Sequence, residues 1–227
     1  MAKGEETRQA ILARAFELAK TVGLSGLSIG RLAEDTGLSK SGLFAHFGSK
    51  EALEVAVVEE AARQFVEFVM APALQKPRGE PRVRALFERW VAWGQRPGGC
   101  FFVAAIAELD DRPGPPRDAL AQTCKDWLDA LATAARITVS EGHFRPDLDP
   151  DQFAFDVYGI MLGFHTYQKF LRAPDSLERA RESLERLLVS ARAPAARPGP
   201  DRAKPDETRR RRVAADQRSE ERTEGDD

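Results

Sequence analysis

The chain has 227 residues, enough for one large domain or two modest ones, and 42% of them are hydrophobic, which allows a sizeable core. The formal net charge is −2, so the whole chain is not a basic nucleic-acid binder, although a locally positive surface stays compatible with DNA. No apolar run approaches the ~20 residues that cross a bilayer, and no apolar signal core opens the chain, which predicts a cytoplasmic protein. Cys100 and Cys124 lack metal-ligand spacing, which favours buried thiols over a disulfide or zinc site and leaves a redox switch as the alternative.

The first fifty residues predict three helices. Residues 5–22 carry an apolar stripe at helical spacing. Ser28 caps a second helix over 28–36, and Ser39 caps a third over 39–47. Two short helices joined by a tight turn are typical of a helix-turn-helix unit, whose second helix usually enters the major groove of DNA.

The remainder predicts a helical bundle followed by a charged tail. The apolar stretch 100–109 fits a buried strand or a buried helix, and its alanine content favours helix. From 192 to 227 the chain has little apolar content and dense charge, which predicts a disordered tail. Its arginine run at 209–212 is either a plain solvated segment or a contact to DNA phosphates. The predicted bundle helices cover 49–74, 82–95, 100–109, 117–141, 149–171 and 176–190.

An ordered signature between Arg8 and Leu53 resembles the DNA-binding domain of TetR/AcrR-type transcriptional regulators. Two later stretches, 98–118 and 145–159, resemble the ligand domain of one subgroup of that family. The matching residues in the first segment are Arg8, Ile11, Leu12, Ala15, Phe16, Gly23, Ser28, Ile29, Leu32, Ala33, Gly37, Ser39, Leu43, Phe44, His46, Phe47, Lys50 and Leu53.

The resemblance implies an all-α fold, with a three-helix DNA-binding head over 1–50 and a ligand-binding and dimerisation bundle over 51–191. It implies a homodimeric repressor on a palindromic double-stranded DNA operator, released by a small hydrophobic effector, with activation as the alternative. No cofactor, membrane contact or catalysis is expected.

Eight DNA-binding residues follow from this resemblance and from the chemistry of helix ends. Helix N-termini attract phosphate, and Lys40 and Ser41 are the polar side chains available to base edges. Lys50 matches the family's phosphate-contacting lysine. Phe44 replaces a more usual tyrosine, so one hydroxyl contact to the backbone is lost. The full set is Ser28, Ser39, Lys40, Ser41, Gly42, Phe44, His46 and Lys50.

The aromatic residues of the second domain predict an apolar effector pocket, with ordinary core packing as the competing interpretation. Tyr158 and Gln168 are further polar candidates. The predicted ligand-binding residues are Phe65, Phe68, Trp90, Trp93, Phe102, Trp127, Phe164 and His165. By resemblance, the last two helices form the dimer interface. Its candidate residues are Phe153, Val157, Ile160, Phe164, Leu184, Leu187 and Leu188, with packing inside the subunit as the alternative.

Two other function classes remain open at this level. Asp147, Asp149 and Asp151 alternate like the ligands of a helical metal-dependent enzyme, but the stronger interpretation is that Asp149 is the N-cap of the following helix, with Pro150 at its first position and Asp151 near its positive end. A module that binds a partner other than DNA is the third possibility.

Overall fold

The computed structural model describes residues 3–193, and their first three helices form the predicted head. Ser28 Oγ accepts a hydrogen bond from Arg31 N at 3.2 Å, and Ser39 Oγ accepts one from Gly42 N at 3.1 Å. These caps satisfy amides that a helix start leaves unpaired, and so fix where the two short helices begin. The helices are α1 (Lys3–Val22), α2 (Ile29–Thr36) and α3 (Lys40–Phe47).

Seven further helices follow, and residues 3–193 contain no β-strand, which confirms the all-α prediction. The ambiguous stretch 100–109 is helical. They are α4 (Lys50–Phe65), α5 (Ala71–Leu74), α6 (Glu80–Gly94), α7 (Phe101–Leu109), α8 (Pro115–Ser140), α9 (Pro150–His165) and α10 (Ser176–Ala191). None of them is long and apolar enough to cross a membrane.

A wider π-helical turn, Val66–Met70, separates α4 from α5 inside the single helix that the sequence predicts over 49–74. Such a turn changes the backbone hydrogen-bond pattern locally. The Phe68 carbonyl accepts a hydrogen bond from Arg89 Nε at 2.8 Å, so α6 supplies a donor to this turn. A second π-helical turn, Thr166–Phe170, follows α9.

Aromatic contacts join the head to the bundle. The ring of Phe16 in α1 lies 6.3 Å from that of Trp93 in α6 and 5.4 Å from that of Phe101 in α7. All three side chains are buried. The hydrophobic core is therefore continuous across the two parts.

The residues expected at the dimer interface mostly face inward. Ile160 and Leu187 are half-buried. The other five, Phe153, Val157, Phe164, Leu184 and Leu188, are at most 3% exposed within one subunit. These five therefore follow the alternative, packing within the subunit, because α9 packs on both α8 and α10.

Local contacts also account for the acidic stretch 145–151. Asp149 Oδ1 accepts hydrogen bonds from Asp151 N at 2.9 Å and Gln152 N at 3.2 Å, as an N-cap does. Asp147 is paired with Arg145 at 2.6 Å. Residues 3–193 contain no group of three His, Cys, Asp or Glu side chains placed to hold a metal ion. The N-cap interpretation therefore accounts for this stretch.

The end of the described chain is held to the bundle rather than starting a tail at 192. Arg192 pairs with Glu80 at 2.8 Å, and Ala193 N donates to the His143 carbonyl at 3.0 Å. The rest of the predicted tail, including the arginine run, lies outside the described residues.

Candidate nucleic-acid interface and internal cavity

One face of α3 is exposed and carries most of the predicted DNA-binding residues. Ser39, Lys40, Ser41 and Gly42 form its exposed first turn. Its inward residues are buried, with Leu43 at 0% and Phe47 at 7% exposure. The helix is therefore anchored by its inner side and presents its N-terminal turn outward, as a recognition helix must.

The side chain of Lys40 is directed by α2. A Cβ built on Gly30 would lie 3.5 Å from Lys40 Cε, so the lysine stem runs alongside that glycine. Its ammonium group makes no ion pair or hydrogen bond within residues 3–193. Ser39 Oγ and Ser41 Oγ lie 3.2 Å apart, so the two hydroxyls share a hydrogen bond at the helix start.

Phe44 and His46 differ in their accessibility. Phe44 is 56% exposed, so its ring meets solvent where a tyrosine would present a hydroxyl. His46 is half-buried, and its ring centroid lies 6.3 Å from that of Phe47. Phe47 also lies under the guanidinium of Arg8, 5.5 Å from its ring centroid.

Lys50 is engaged inside the protein. Its Nζ donates to the Ser25 carbonyl at 2.8 Å and lies 3.6 Å from Glu54 Oε1. A phosphate contact by this lysine therefore requires it to share or exchange these partners. Arg31, which the sequence interpretation did not select, is exposed on α2, and its guanidinium has no ion-pair partner within the described chain. It adds a positive charge beside Ser28.

Two polar contacts fasten the C-terminal end of α7 and the following loop to the head. The Glu108 carboxylate accepts hydrogen bonds from Leu24 N at 3.2 Å and Ser25 N at 2.7 Å. Arg112, in that loop, donates from Nη1 to Ser25 Oγ at 3.3 Å and from Nη2 to Glu54 Oε2, in α4, at 2.6 Å. Glu54 is 0% exposed, and its proximity raises the pKa of the Arg112 guanidinium.

An internal cavity of about 200 Å³ opens between α4, α6, α7, α8 and α9. Its wall is mostly apolar and aromatic, which suits a small organic molecule. The lining residues are Ala62, Phe65, Val66, Met70, Trp90, Cys100, Phe102, Val103, Thr123, Cys124, Asp126, Trp127, Ala130 and Tyr158.

Half of the predicted ligand-binding set lines this cavity: Phe65, Trp90, Phe102 and Trp127. The other four residues do not. Trp93 stacks against Phe16 and Phe102 in the core, at centroid distances of 6.3 Å and 6.4 Å.

The remaining three residues of that set have other surroundings. Phe68 lies under Arg89, whose Cζ is 4.3 Å from the ring centroid. Phe164 is buried against Trp90, with centroids 6.4 Å apart. His165 is half-buried, and this burial, with the nearby charge of Lys169, lowers the pKa of its imidazole.

Apart from the carboxylate of Asp126, the polar side chains of the cavity wall are thiols and hydroxyls. Burial raises the pKa of the Cys100 thiol to about 11 and raises that of Cys124. Burial also raises the pKa of the Tyr158 hydroxyl to about 12. Cys100 is buried, as expected, whereas Cys124 is half-buried. These groups are protonated at neutral pH.

Comparison with known proteins decides the family. Residues 11–57 match the model of the "Bacterial regulatory proteins, tetR family" DNA-binding domain, and residues 79–184 match the "Tetracyclin repressor-like, C-terminal domain". The chain belongs to the TetR family. TetR-family members are DNA-binding transcriptional regulators and not enzymes, so the expectation that this chain is not an enzyme is confirmed.

Individual TetR-family relatives cover most of the chain. The transcriptional repressor NemR of Escherichia coli is 25% identical over 191 residues, which are 82% of this chain and 95% of NemR. A TetR regulator from Chloroflexus aurantiacus has a TM-score of 0.77 and 27% identity, and the match covers 85% and 98% of the two chains. AibR, solved with isovaleryl coenzyme A and operator DNA, has a TM-score of 0.63 and 25% identity, covering 80% and 97%.

Proposed function

We propose that this TetR-family protein is a repressor that binds a palindromic operator as a homodimer and is released when a small apolar effector enters the internal cavity. The observation that carries the proposal is the exposed N-terminal turn of α3, with its unpaired Lys40. The NemR relative, which is a repressor, and the AibR complex with ligand and DNA support the same assignment.

The first step is recognition of DNA by the head. Lys40 donates to guanine O6 or N7, and Ser41 pairs with more than one base. Phosphates lie at the helix starts capped by Ser28 and Ser39, where amides and the helix dipole favour an anion. Arg31 adds a phosphate contact from α2. With two polar base readers, one head has modest specificity, and a second head is needed.

The second step is dimerisation through the outer face of α9. Phe155 is 70% exposed and Phe170, just after α9, is 82% exposed. Between them, Gly159 and Gly163 are exposed, and a Cβ on either would meet nothing within 4 Å. A stripe of large apolar rings beside two glycines lets a second copy of the helix approach closely and covers apolar surface that water otherwise contacts.

The third step is transmission from the cavity to the head by α7. Phe102 and Val103, near its start, line the cavity. Glu108, near its end, is bonded to the loop between α1 and α2. Because a short helix moves as a rigid body, an effector that displaces the first turn of α7 also pulls on the head through Glu108.

Release is then a shift between two arrangements of the heads. An effector that binds one arrangement more tightly increases its population. Two heads whose separation no longer matches the spacing of the half-sites cannot both engage the operator. Affinity for DNA falls without any change in the reading surface itself.

Fluorescence anisotropy with the gene's own upstream region and a random duplex tests the DNA-binding step. We expect Lys40→Ala to weaken binding to the upstream region more than binding to the random duplex. Lys50→Ala should weaken both and flatten the salt dependence, because it removes a phosphate contact. Lys125→Ala, at an exposed lysine of α8, is the matched control and should change neither affinity.

The titrations are run at two salt concentrations. If both head variants bind both duplexes as the wild type does, α3 is not the reading surface. An upstream region bound no better than random DNA would contradict the operator assignment.

A further inference from the structure

The chemistry of the cavity wall defines the class of effector, and this inference rests on the proposed role of the cavity as the effector site. Within the part of the chain that the structure describes, no lysine, arginine or histidine lines the cavity. Its one carboxylate, Asp126, is exposed and accepts a hydrogen bond from Gln122 Nε2 at 2.8 Å. An anion would lose its hydration without gaining a counter-charge, which is costly in an apolar site. The wall therefore selects against charged acids.

The aromatic residues of the wall meet edge to face. Phe65 lies with its centroid 5.0 Å from Trp127 and 5.5 Å from Phe102, both T-shaped. Rings in this arrangement pack well against another ring. The volume of about 200 Å³ is larger than the ~150 Å³ cavity that accepts benzene. One substituted ring fits.

The hydroxyl of Tyr158 is a hydrogen-bond donor that the described part of the protein leaves unpaired. Tyr158 lines the cavity, and its hydroxyl has no hydrogen-bond partner within residues 3–193. Thr123, by contrast, already donates to the Ala119 carbonyl at 3.0 Å. An unused donor in an apolar wall favours a ligand that brings an acceptor.

We propose that the effector is an uncharged, mainly apolar ring compound with a carbonyl-type acceptor, and that the Tyr158 hydroxyl donates to this acceptor. Because the pKa of this hydroxyl is raised to about 12 by burial, it stays protonated and remains a donor across the physiological pH range. The thiols beside it are also protonated and take no part in the recognition.

Calorimetric titration of the full chain with three probes of the same shape and number of non-hydrogen atoms tests this assignment. Acetophenone carries a carbonyl, α-methylstyrene carries a methylene group in its place, and benzoate carries a charge. The deciding quantity is the ratio of the acetophenone and α-methylstyrene dissociation constants in the wild type and in Tyr158→Phe. Comparing ratios cancels the different hydration of the two probes.

We expect the wild type to favour acetophenone, relative to α-methylstyrene, about fivefold more than Tyr158→Phe does, as one neutral hydrogen bond provides. Benzoate should bind most weakly. Ala130→Leu, which narrows the cavity, should weaken all three. As a second readout, the carbonyl stretching band of bound acetophenone should lie at lower frequency in the wild type than in Tyr158→Phe, because only the wild type supplies the phenolic donor.

The possible failures can be told apart. Binding of the neutral probes with the same ratio, or with the same carbonyl band position, in the wild type and in Tyr158→Phe overturns the role of Tyr158 but leaves the cavity as a ligand site. Tightest binding by benzoate overturns the neutral class. No binding by any probe overturns the inference and the effector site together, while the anisotropy experiment on DNA stands separately.

Discussion

Arg112 compensates the charge of a fully buried carboxylate, that of Glu54. Replacing this arginine with methionine should lower the melting temperature of the protein. Glu54 is 0% exposed and its Oε2 lies 2.6 Å from Arg112 Nη2. Its Oε1 accepts no hydrogen bond from residues 3–193, and Lys50 Nζ lies 3.6 Å from this oxygen. In Arg112→Met, the buried carboxylate therefore keeps one distant lysine as its only compensation within the described chain.

The size of the effect follows from the exposure of the two partners. Removing one member of a buried ion pair costs about 3–5 kcal/mol. The Arg112 side chain is 38% exposed, so water already reaches this pair, and Lys50 remains. We therefore expect a loss of about 2 kcal/mol in the free energy of unfolding. For a chain of this size that lowers the melting temperature by roughly 4–8 °C.

Thermal unfolding followed by circular dichroism measures this shift. Arg181→Met is the matched control, because it breaks an exposed pair with Glu88 whose side chains are 54% and 44% exposed. It should cost at most about 1 kcal/mol. Adding Glu54→Gln to Arg112→Met should recover most of the loss, since the uncompensated charge is gone. Two results would refute the buried-charge explanation. One is an Arg112→Met protein with the melting temperature of the wild type, and the other is a double variant that is no more stable than Arg112→Met.

Three other outcomes are expected. Phe155→Glu should sediment as a monomer, because it places a charge in the proposed dimer face. The control Leu74→Glu, at a 48% exposed leucine of α5, should sediment as a dimer. A dimeric Phe155→Glu protein would show that this face is not the interface. Hydrogen bonds from Arg192 hold the pKa of Glu80 at about 2, below its ordinary 4.5. The stabilisation by this ion pair is therefore present above pH 4.5 and is lost as the pH falls towards 2. In urea unfolding, the difference in unfolding free energy between the wild type and Glu80→Gln should be larger at pH 7 than at pH 3. An equal difference at the two pH values would refute this linkage. Expression of a reporter fused to the upstream region should rise when the gene is deleted, because the repressor is lost. A fall in expression would indicate that the protein is an activator.

The head could be predicted closely from the sequence because its signals are local. Ser28 and Ser39 cap α2 and α3, as the sequence predicts. Each serine hydroxyl accepts a hydrogen bond from the backbone amide three residues further along the chain. Periodicity also predicts the bundle helices, since an apolar stripe needs no knowledge of its neighbours. The π-helical turn Val66–Met70 has no such local signal.

The cavity and the dimer face could not be predicted, because they depend on how each helix is rotated in the bundle. Trp90 and Trp93 are both buried in α6, yet only Trp90 lines the cavity. Both sides of α9 are apolar, and the packing of α10 and α8 decides that Phe153 faces inward and Phe155 outward.

The contacts between head and bundle escape sequence reasoning for a related reason. Glu108 meets Leu24 across 84 positions of the chain, and Arg112 meets Ser25 across 87. A charged residue at the end of an apolar helix, or in the polar loop after it, normally indicates a solvated position, and only the folded structure brings these two against the head.

A hydroxyl-radical footprint on the gene's upstream region tests most directly the claim that two α3 helices read a symmetric operator. We expect two protected half-sites in inverted orientation, with centres one helical turn or a multiple of it apart, roughly 10 base pairs per turn. Protection of both halves should weaken together in Lys40→Ala and persist in Lys125→Ala. A single unpaired protected site, or a footprint that Lys40→Ala leaves unchanged, would contradict the account.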